Sequence, residues 1–187
     1  MKPRLAQAPL VRLRPTMLSD LDFVISVETD SHNLPFITPW ERTQHEGAVR
    51  FPDFRHFIVE AGADYARAGF IILQGCRSRH RSVELKRIVL QPKGLGLGRA
   101  CVRLLKLMAF RDLHAHRFWL DVKQLNTRAQ ALYASEGFVE EGRLRESVRL
   151  TPEHGASLGA DGYDSLIVMS MLDREYQARI ALGQEQG

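Results

Sequence analysis

The chain has 187 residues, 44% of them hydrophobic and 26% charged, a composition that suits one soluble globular domain with a sizeable core. The formal net charge of +4 favours an anionic ligand but is too small to argue for nucleic acid, so no DNA partner is expected. Two cysteines, Cys76 and Cys101, without metal spacing support neither a disulfide framework nor a metal site, and a reducing compartment is expected.

Residues 1–9 read as a loose leader without the apolar block of a signal peptide. With no apolar run of membrane-spanning length, a cytoplasmic protein with no membrane partner is expected. Leu10 to Arg14 alternates and predicts a first strand, stopped by Pro15. Ser19 and Asp20 offer N-cap chemistry for a helix to about Glu28. His32 to Thr43 is loop-like but carries Phe36 and Trp40. These aromatics fit either a segment folded over a pocket or a plug in a corner of the core. A short helix follows near Arg42–Arg50.

Arg55–Ala61 and Ala68–Leu73 predict a hairpin around Gly62 and Asp64, and Ser82–Leu90 predicts a fourth strand. Arg77, Arg79, His80 and Arg81 read as a solvated turn between strands. Arg117–Val122 is a fifth strand, and because a helix separates it from the fourth, the two are expected to run parallel. Asn126 opens another helix, whose Ala129, Leu132, Tyr133 and Glu136 share one face. Gly137 closes that helix. Phe138 begins a sixth strand running to about Leu150. Thr151–Gly162 is a loop, Tyr163–Leu172 a last strand, and 173–187 a polar, frayed helical tail. No second domain is legible.

The stretch from Leu85 to Phe110 carries the strongest functional signal. A β-branched strand leads into Lys93-Gly94-Leu95-Gly96-Leu97-Gly98-Arg99, and then into apolar residues at 97, 100, 101, 104, 105 and 108, which is helical spacing. Glycines let a backbone approach a phosphate, and the first N–H groups of the helix favour an anion. Cys101 falls on the apolar side; Arg103 and Lys106 fall on the polar side and are expected to face solvent. The run is neither a P-loop nor the Gly-x-Gly-x-x-Gly dinucleotide fingerprint.

The glycine turn, Asn126, and Ala131-Leu132-Tyr133-Ala134-Ser135-Glu136-Gly137-Phe138 together, in this order and spacing, resemble the GNAT superfamily of acetyl-CoA-dependent N-acetyltransferases. Glu84–Val89, and Leu120-Asp121-Val122 followed by Asn126, look like its branch of ribosomal-protein and polyamine acetyltransferases. The resemblance implies a single α+β domain over residues 1–187, with a mixed, mostly antiparallel sheet of about seven strands and a splayed parallel pair. It implies that Lys93, Gly94, Leu95, Gly96, Leu97, Gly98 and Arg99 hold the diphosphate of acetyl-CoA. The turn can be aligned from Gln91 or from Lys93, and the second alignment is preferred. Ile88, Val89 and Leu90 would pair with the pantetheine arm, a backbone N–H near Leu90 would polarise the acetyl carbonyl, and Asn126 and Arg128 would also contact the cofactor.

The same resemblance makes Tyr133 the acid that protonates the leaving thiolate. Glu84 is the preferred base for the amine, ahead of Glu28 and Glu60. The expected reaction is direct attack of a primary amine on the thioester, without a metal or a covalent enzyme intermediate. Phe36 and Trp40 hint at a wall for the acceptor, and Asp161 and Asp164 could attract a cationic amine. The acceptor, a small molecule or a protein amine, is not legible. Oligomeric state stays open, with pairing of copies through the last strands as the expected route to a homodimer. Two rivals are a non-catalytic acyl-CoA-binding domain on the same fold, and a small nucleotide-binding domain using Asp121 on a ribose. The latter needs further parallel strands after residue 140.

Overall fold

The central strands are buried along most of their length: β2 (Arg55–Ala61) carries five consecutive buried residues and β3 (Ala66–Gln74) six. Such runs demand cover on both faces of a sheet. The computed structural model describes residues 11–150 and 162–185. The leader at residues 1–9 and the loop at 151–161 therefore lie outside the described residues.

The remaining strands are β1 (Val11–Pro15), β4 (Ser82–Leu90), β5 (Arg117–Lys123), β6 (Val139–Arg149) and β7 (Tyr163–Leu172). They form one seven-stranded sheet in the order β1-β2-β3-β4-β5-β7-β6. β4 and β5 run parallel and the other neighbours antiparallel. This is the expected mixed α+β architecture. The antiparallel β6 and β7 remove the nucleotide-binding alternative.

Five helices among the described residues cover the sheet: α1 (Leu21–Glu28), α2 (Arg42–Arg50), α3 (Leu97–Leu107), α4 (Thr127–Ser135) and α5 (Asp173–Ala181). Among the described residues, no helix is long and apolar enough to cross a membrane. On one face, α3 packs Cys101, Val102 and Leu105 against Ile71, Phe118 and Met171, all but fully buried. On the other, α1 sets Leu21, Val24 and Val27 against Ile58, Phe70 and Ile72.

Two features of the sheet position the site. First, β4 and β5 pair only at Ser82–Arg117, Val83–Phe118 and Glu84–Trp119. Beyond Glu84 the strands part, as expected of a splayed pair. Second, β4 carries a bulge. Ile72 pairs with Arg87 and Leu73 with Leu85, leaving Lys86 without an opposite. The extra residue shifts the alternation by one. Val83 and Leu85 lie on the α3 side, and so do Ile88 and Leu90, whereas Val89 joins the α1 cluster. Gly69 lets β4 come close at this point: a Cβ there would stand 2.0 Å from the Val89 carbonyl oxygen.

Several sequence expectations need correction. Asp20 does not cap α1 with its side chain. Its carboxylate accepts from the Met17 N–H at 2.9 Å and pairs with Arg14, which sets a short 3-10 turn ahead of the helix. The helix expected to reach Phe110 is regular to Leu107 and then widens over Met108–Asp112, closed by Leu113 N–H donating to the Met108 carbonyl. Lys106 does not face solvent. It is fully buried and its ammonium donates to the Glu136 carbonyl oxygen at 3.0 Å and to the Glu136 carboxylate at 3.1 Å, with Glu185 as a third partner. The tail is not frayed through its first turns either. α5 docks through Tyr176, buried and stacked on Phe110 at 4.7 Å between ring centroids.

Candidate functional site

Where β4 and β5 part, the chain leaves a cavity of about 630 Å³ and, adjoining it, a second of about 240 Å³. The larger lies over the glycine turn. β4 contributes Ile88, Val89 and Leu90 to its wall. The turn contributes Lys93, Gly94, Gly96 and Leu97, and the first helical turn Gly98 and Arg99. α4 and its cap add Asn126, Arg128 and Tyr133. Leu95 alone of the expected turn residues does not line it; that side chain is 61% exposed.

The turn is built for an anion. Gly96 caps α3 with φ +76, a conformation that a side chain would strain. The first α3 bond is made by the Ala100 N–H to the Gly96 carbonyl at 3.2 Å. The N–H groups of Leu97, Gly98 and Arg99 before it have no acceptor within the helix. Lys93, Arg99 and Arg128 surround this helix end with positive charge. Burial, and then the nearby Arg128, lower the Lys93 ammonium below the usual lysine range. Its Nζ donates to the His32 carbonyl at 2.9 Å and lies 5.5 Å from the centre of the Phe36 ring. Arg99 is shared with the buried Glu136, which also binds Arg103.

Asn126 caps α4, its Oδ1 accepting from the Ala129 N–H at 3.2 Å. Two turns on, Tyr133 is buried and lines both cavities. Burial, and secondarily the Asp121 carboxylate, hold its phenol above the usual tyrosine range, so it is neutral and keeps its proton. Phe36 also borders both cavities.

Three carboxylates weighed in the sequence lie elsewhere. Glu84 sits on the closed part of the pair, bonded to Lys86 at 3.0 Å, and lines neither cavity; burial raises its carboxyl above the usual range. Glu60 is clamped by Arg12 and Arg14. Glu28 is fully buried and accepts from Trp40 N–H, His45 and Arg87. Trp40 lines neither cavity and instead covers the Arg87 guanidinium at 5.0 Å. Asp164 is buried and accepts from the N–H of Ser165 at 2.7 Å, and Asp161 lies outside the described residues.

Two residues that line the smaller cavity, Asp121 and Arg87, are not among the transferase site residues expected from the sequence, which weighs Asp121 only as a ribose-binding acid. Asp121 alternates with the buried Leu120 and Val122 and so points away from the core that they enter. Behind Arg87 runs a buried chain. Glu28 meets His45 Nε2 at 3.0 Å, His45 Nδ1 meets His56 Nε2 at 3.2 Å, and His56 Nδ1 meets Thr16 Oγ1 at 2.9 Å. Burial pushes both imidazoles down, His45 to about 4 and His56 to about 3.

Comparisons with known proteins agree with this geometry. A Mycobacterium tuberculosis protein named as an uncharacterized N-acetyltransferase is 38% identical over 96 residues, covering 49% of this chain and 60% of that protein. A spermidine N(1)-acetyltransferase of Vibrio cholerae is 35% identical over 94 residues, covering 49% of this chain and 53% of that protein. The chain thus spans little more than half the length of these curated relatives. Among solved structures, the Vibrio cholerae spermidine N-acetyltransferase in complex with CoA and spermine superposes with a TM-score of 0.76 at 25% identity, covering 89% of this chain and 98% of that one. A chimera of that enzyme with hSSAT gives 0.77 at 26% identity, covering 90% and 99%. Residues 11–139 match the family described as acetyltransferase (GNAT) domain, and with the splayed strand pair and the glycine-capped helix in place, the chain belongs to the GNAT acetyltransferase family.

Proposed function

We propose that this chain is an acetyl-CoA-dependent N-acetyltransferase acting on a primary amine. The observation that carries this reading is the parted β4–β5 pair, with an anion cradle at one end and Tyr133 on both adjoining cavities. Acetyl-CoA would supply the acetyl thioester, and its thiolate is the leaving group. The residues fit such a molecule. Gly94, at φ +92, has no heavy atom within 4 Å of where a Cβ would stand, so its backbone is open. A diphosphate there meets the free N–H groups of α3 and the cations Lys93, Arg99 and Arg128. The backbone of β4 beyond Glu84 has no strand partner on the β5 side, and a pantetheine arm can take that place.

Tyr133 donates the proton to the leaving sulfur. The amine enters through the smaller cavity, whose one carboxylate among the described residues is Asp121. Asp121 is better placed than Glu84 to accept the amine's proton, since Glu84 lines neither cavity. Neither cysteine lines a cavity, and burial raises both thiols, Cys76 to about 11 and Cys101 to about 12, which supports direct attack by the amine.

Calorimetry with acetyl-CoA and a thiol-release assay against a panel of amines test the reading. Binding with turnover is the expected result. Binding without turnover of any amine would leave the non-catalytic acyl-CoA-binding domain instead.

A further inference from the structure

We propose that the acceptor end of the cleft selects a primary amine that also carries a carboxylate, and that Arg87 is the residue that reads this carboxylate. The inference rests on the transferase reading and names its acceptor class. The smaller cavity is lined by Lys86, Arg87 and Lys123 and, among the described residues, by the single carboxylate of Asp121. Two of the cations are engaged. Lys86 binds Glu84 at 3.0 Å, and Lys123 donates to the Pro35 carbonyl at 3.2 Å.

Arg87 is held differently. Its Nη1 is bound to Glu28 and its plane is covered by Trp40, so one edge is fixed. Its Nε and Nη2 have no partner among the described residues, yet neither is sealed from solvent. The side chain is only 9% exposed, and the space it faces is the cavity. Glu28 compensates this charge from behind and leaves the two donors on the cavity side free. It is fully buried behind the guanidinium, and its oxygens are taken by Trp40 N–H, His45 and Arg87. An oriented guanidinium with two free donors matches a carboxylate. A polyamine would bring its second ammonium against Arg87 and Lys123, and like charges in a desolvated site repel strongly.

The test measures kcat/KM for acetyl transfer by the full chain. Acceptors are glycine, β-alanine, γ-aminobutyrate and aminopentanoate against the diamines of matching chain length, with spermidine alongside. The best amino acid should exceed its matching diamine on the order of thirtyfold, the discrimination of one charge-assisted pair. Arg87→Met should bring that ratio to about one, chiefly through KM, and Arg87→Lys should restore part of it. Because Arg87→Met strands Glu28, the ratio is also read in the double variant Glu28→Leu/Arg87→Met, where it should stay near one. Preference for spermidine or a diamine, or a ratio unmoved by Arg87→Met, overturns the proposal while leaving the transferase intact. Acetyl-CoA binding without turnover of any acceptor overturns the transferase reading, and the acceptor class with it.

Discussion

The two faces of the sheet solve the burial problem in opposite ways. The α3 face is a continuous apolar core from Val59 through Phe118 to Tyr176. The α1 face has a small apolar cluster and, beside it, a buried polar chain from Arg87 through Glu28, His45 and His56 to Thr16. Apolar packing is non-directional and tolerates exchange of similar volumes. A hydrogen-bonded chain fixes angles but is costly if any link fails. The contrast teaches where precision is needed: the directional face is the one that sets Arg87 at the smaller cavity.

The sharpest way to break this contrast is to cut one link. Glu28→Gln should cost about 3–5 kcal/mol, because Arg87 is left as a buried uncompensated charge. Phe118→Ala on the apolar face should cost about the same by leaving a cavity. The faces part company in rescue. Arg87→Met added to Glu28→Leu should recover the share of the loss due to the stranded guanidinium, as urea denaturation would show, with Trp40 N–H and His45 still unpaired, and no single polar partner can rescue Phe118→Ala.

Acid should then attack one face selectively. An imidazole kept neutral by burial binds no proton in the folded state where the unfolded chain does. Stability should therefore fall as the pH drops below 6.5 toward the folded values of about 4 for His45 and about 3 for His56. At pH 5.5 the loss is about 1.4 kcal/mol per histidine. Melting of wild type and of His45→Gln over this range measures it; parallel curves would mean that His45 contributes nothing to the acid sensitivity.

Tyr133→Phe tests the seam between the faces. The phenol makes no protein hydrogen bond among the described residues, so stability should hold while kcat falls on the order of a hundredfold. Acetyl-CoA affinity, read by calorimetry, should stay within about threefold, since only the hydroxyl is removed. The smallest effect belongs to Lys106→Met, the charged exception on the apolar face. Glu136 would keep Arg99 and Arg103, so the loss should be about 1–2 kcal/mol by thermal melting, less than for Glu28→Gln.

Much of this was legible. Strands at Arg55–Ala61, Ser82–Leu90 and Tyr163–Leu172 and the helix at Arg42–Arg50 lie where alternation and spacing put them. The turn residues around Gly96 gather at the cavity for the same local reason, since glycine conformation and helix start are short-range properties. The bulge was readable and was passed over. Apolar residues on β4 fall at 83, 85, 88, 89 and 90, and the three-residue step from Leu85 to Ile88 breaks strict alternation. Arg87 meeting Glu28 was not readable, because 59 residues separate them and nothing local to either points to the other. Lys106 was misread because its helical phase puts it on the polar side of α3, and only the arrival of Glu136 and Glu185 encloses it there.

The unpaired Lys86 on β4 acts as a frame marker. Pair that residue regularly with β3 and everything from Arg87 onward inverts. The guanidinium would turn toward the oily layer under α3, and Ile88 would swing to the side now held by His45 and Trp40. Which face of the sheet carries Arg87 is thus set by a count of residues along one strand.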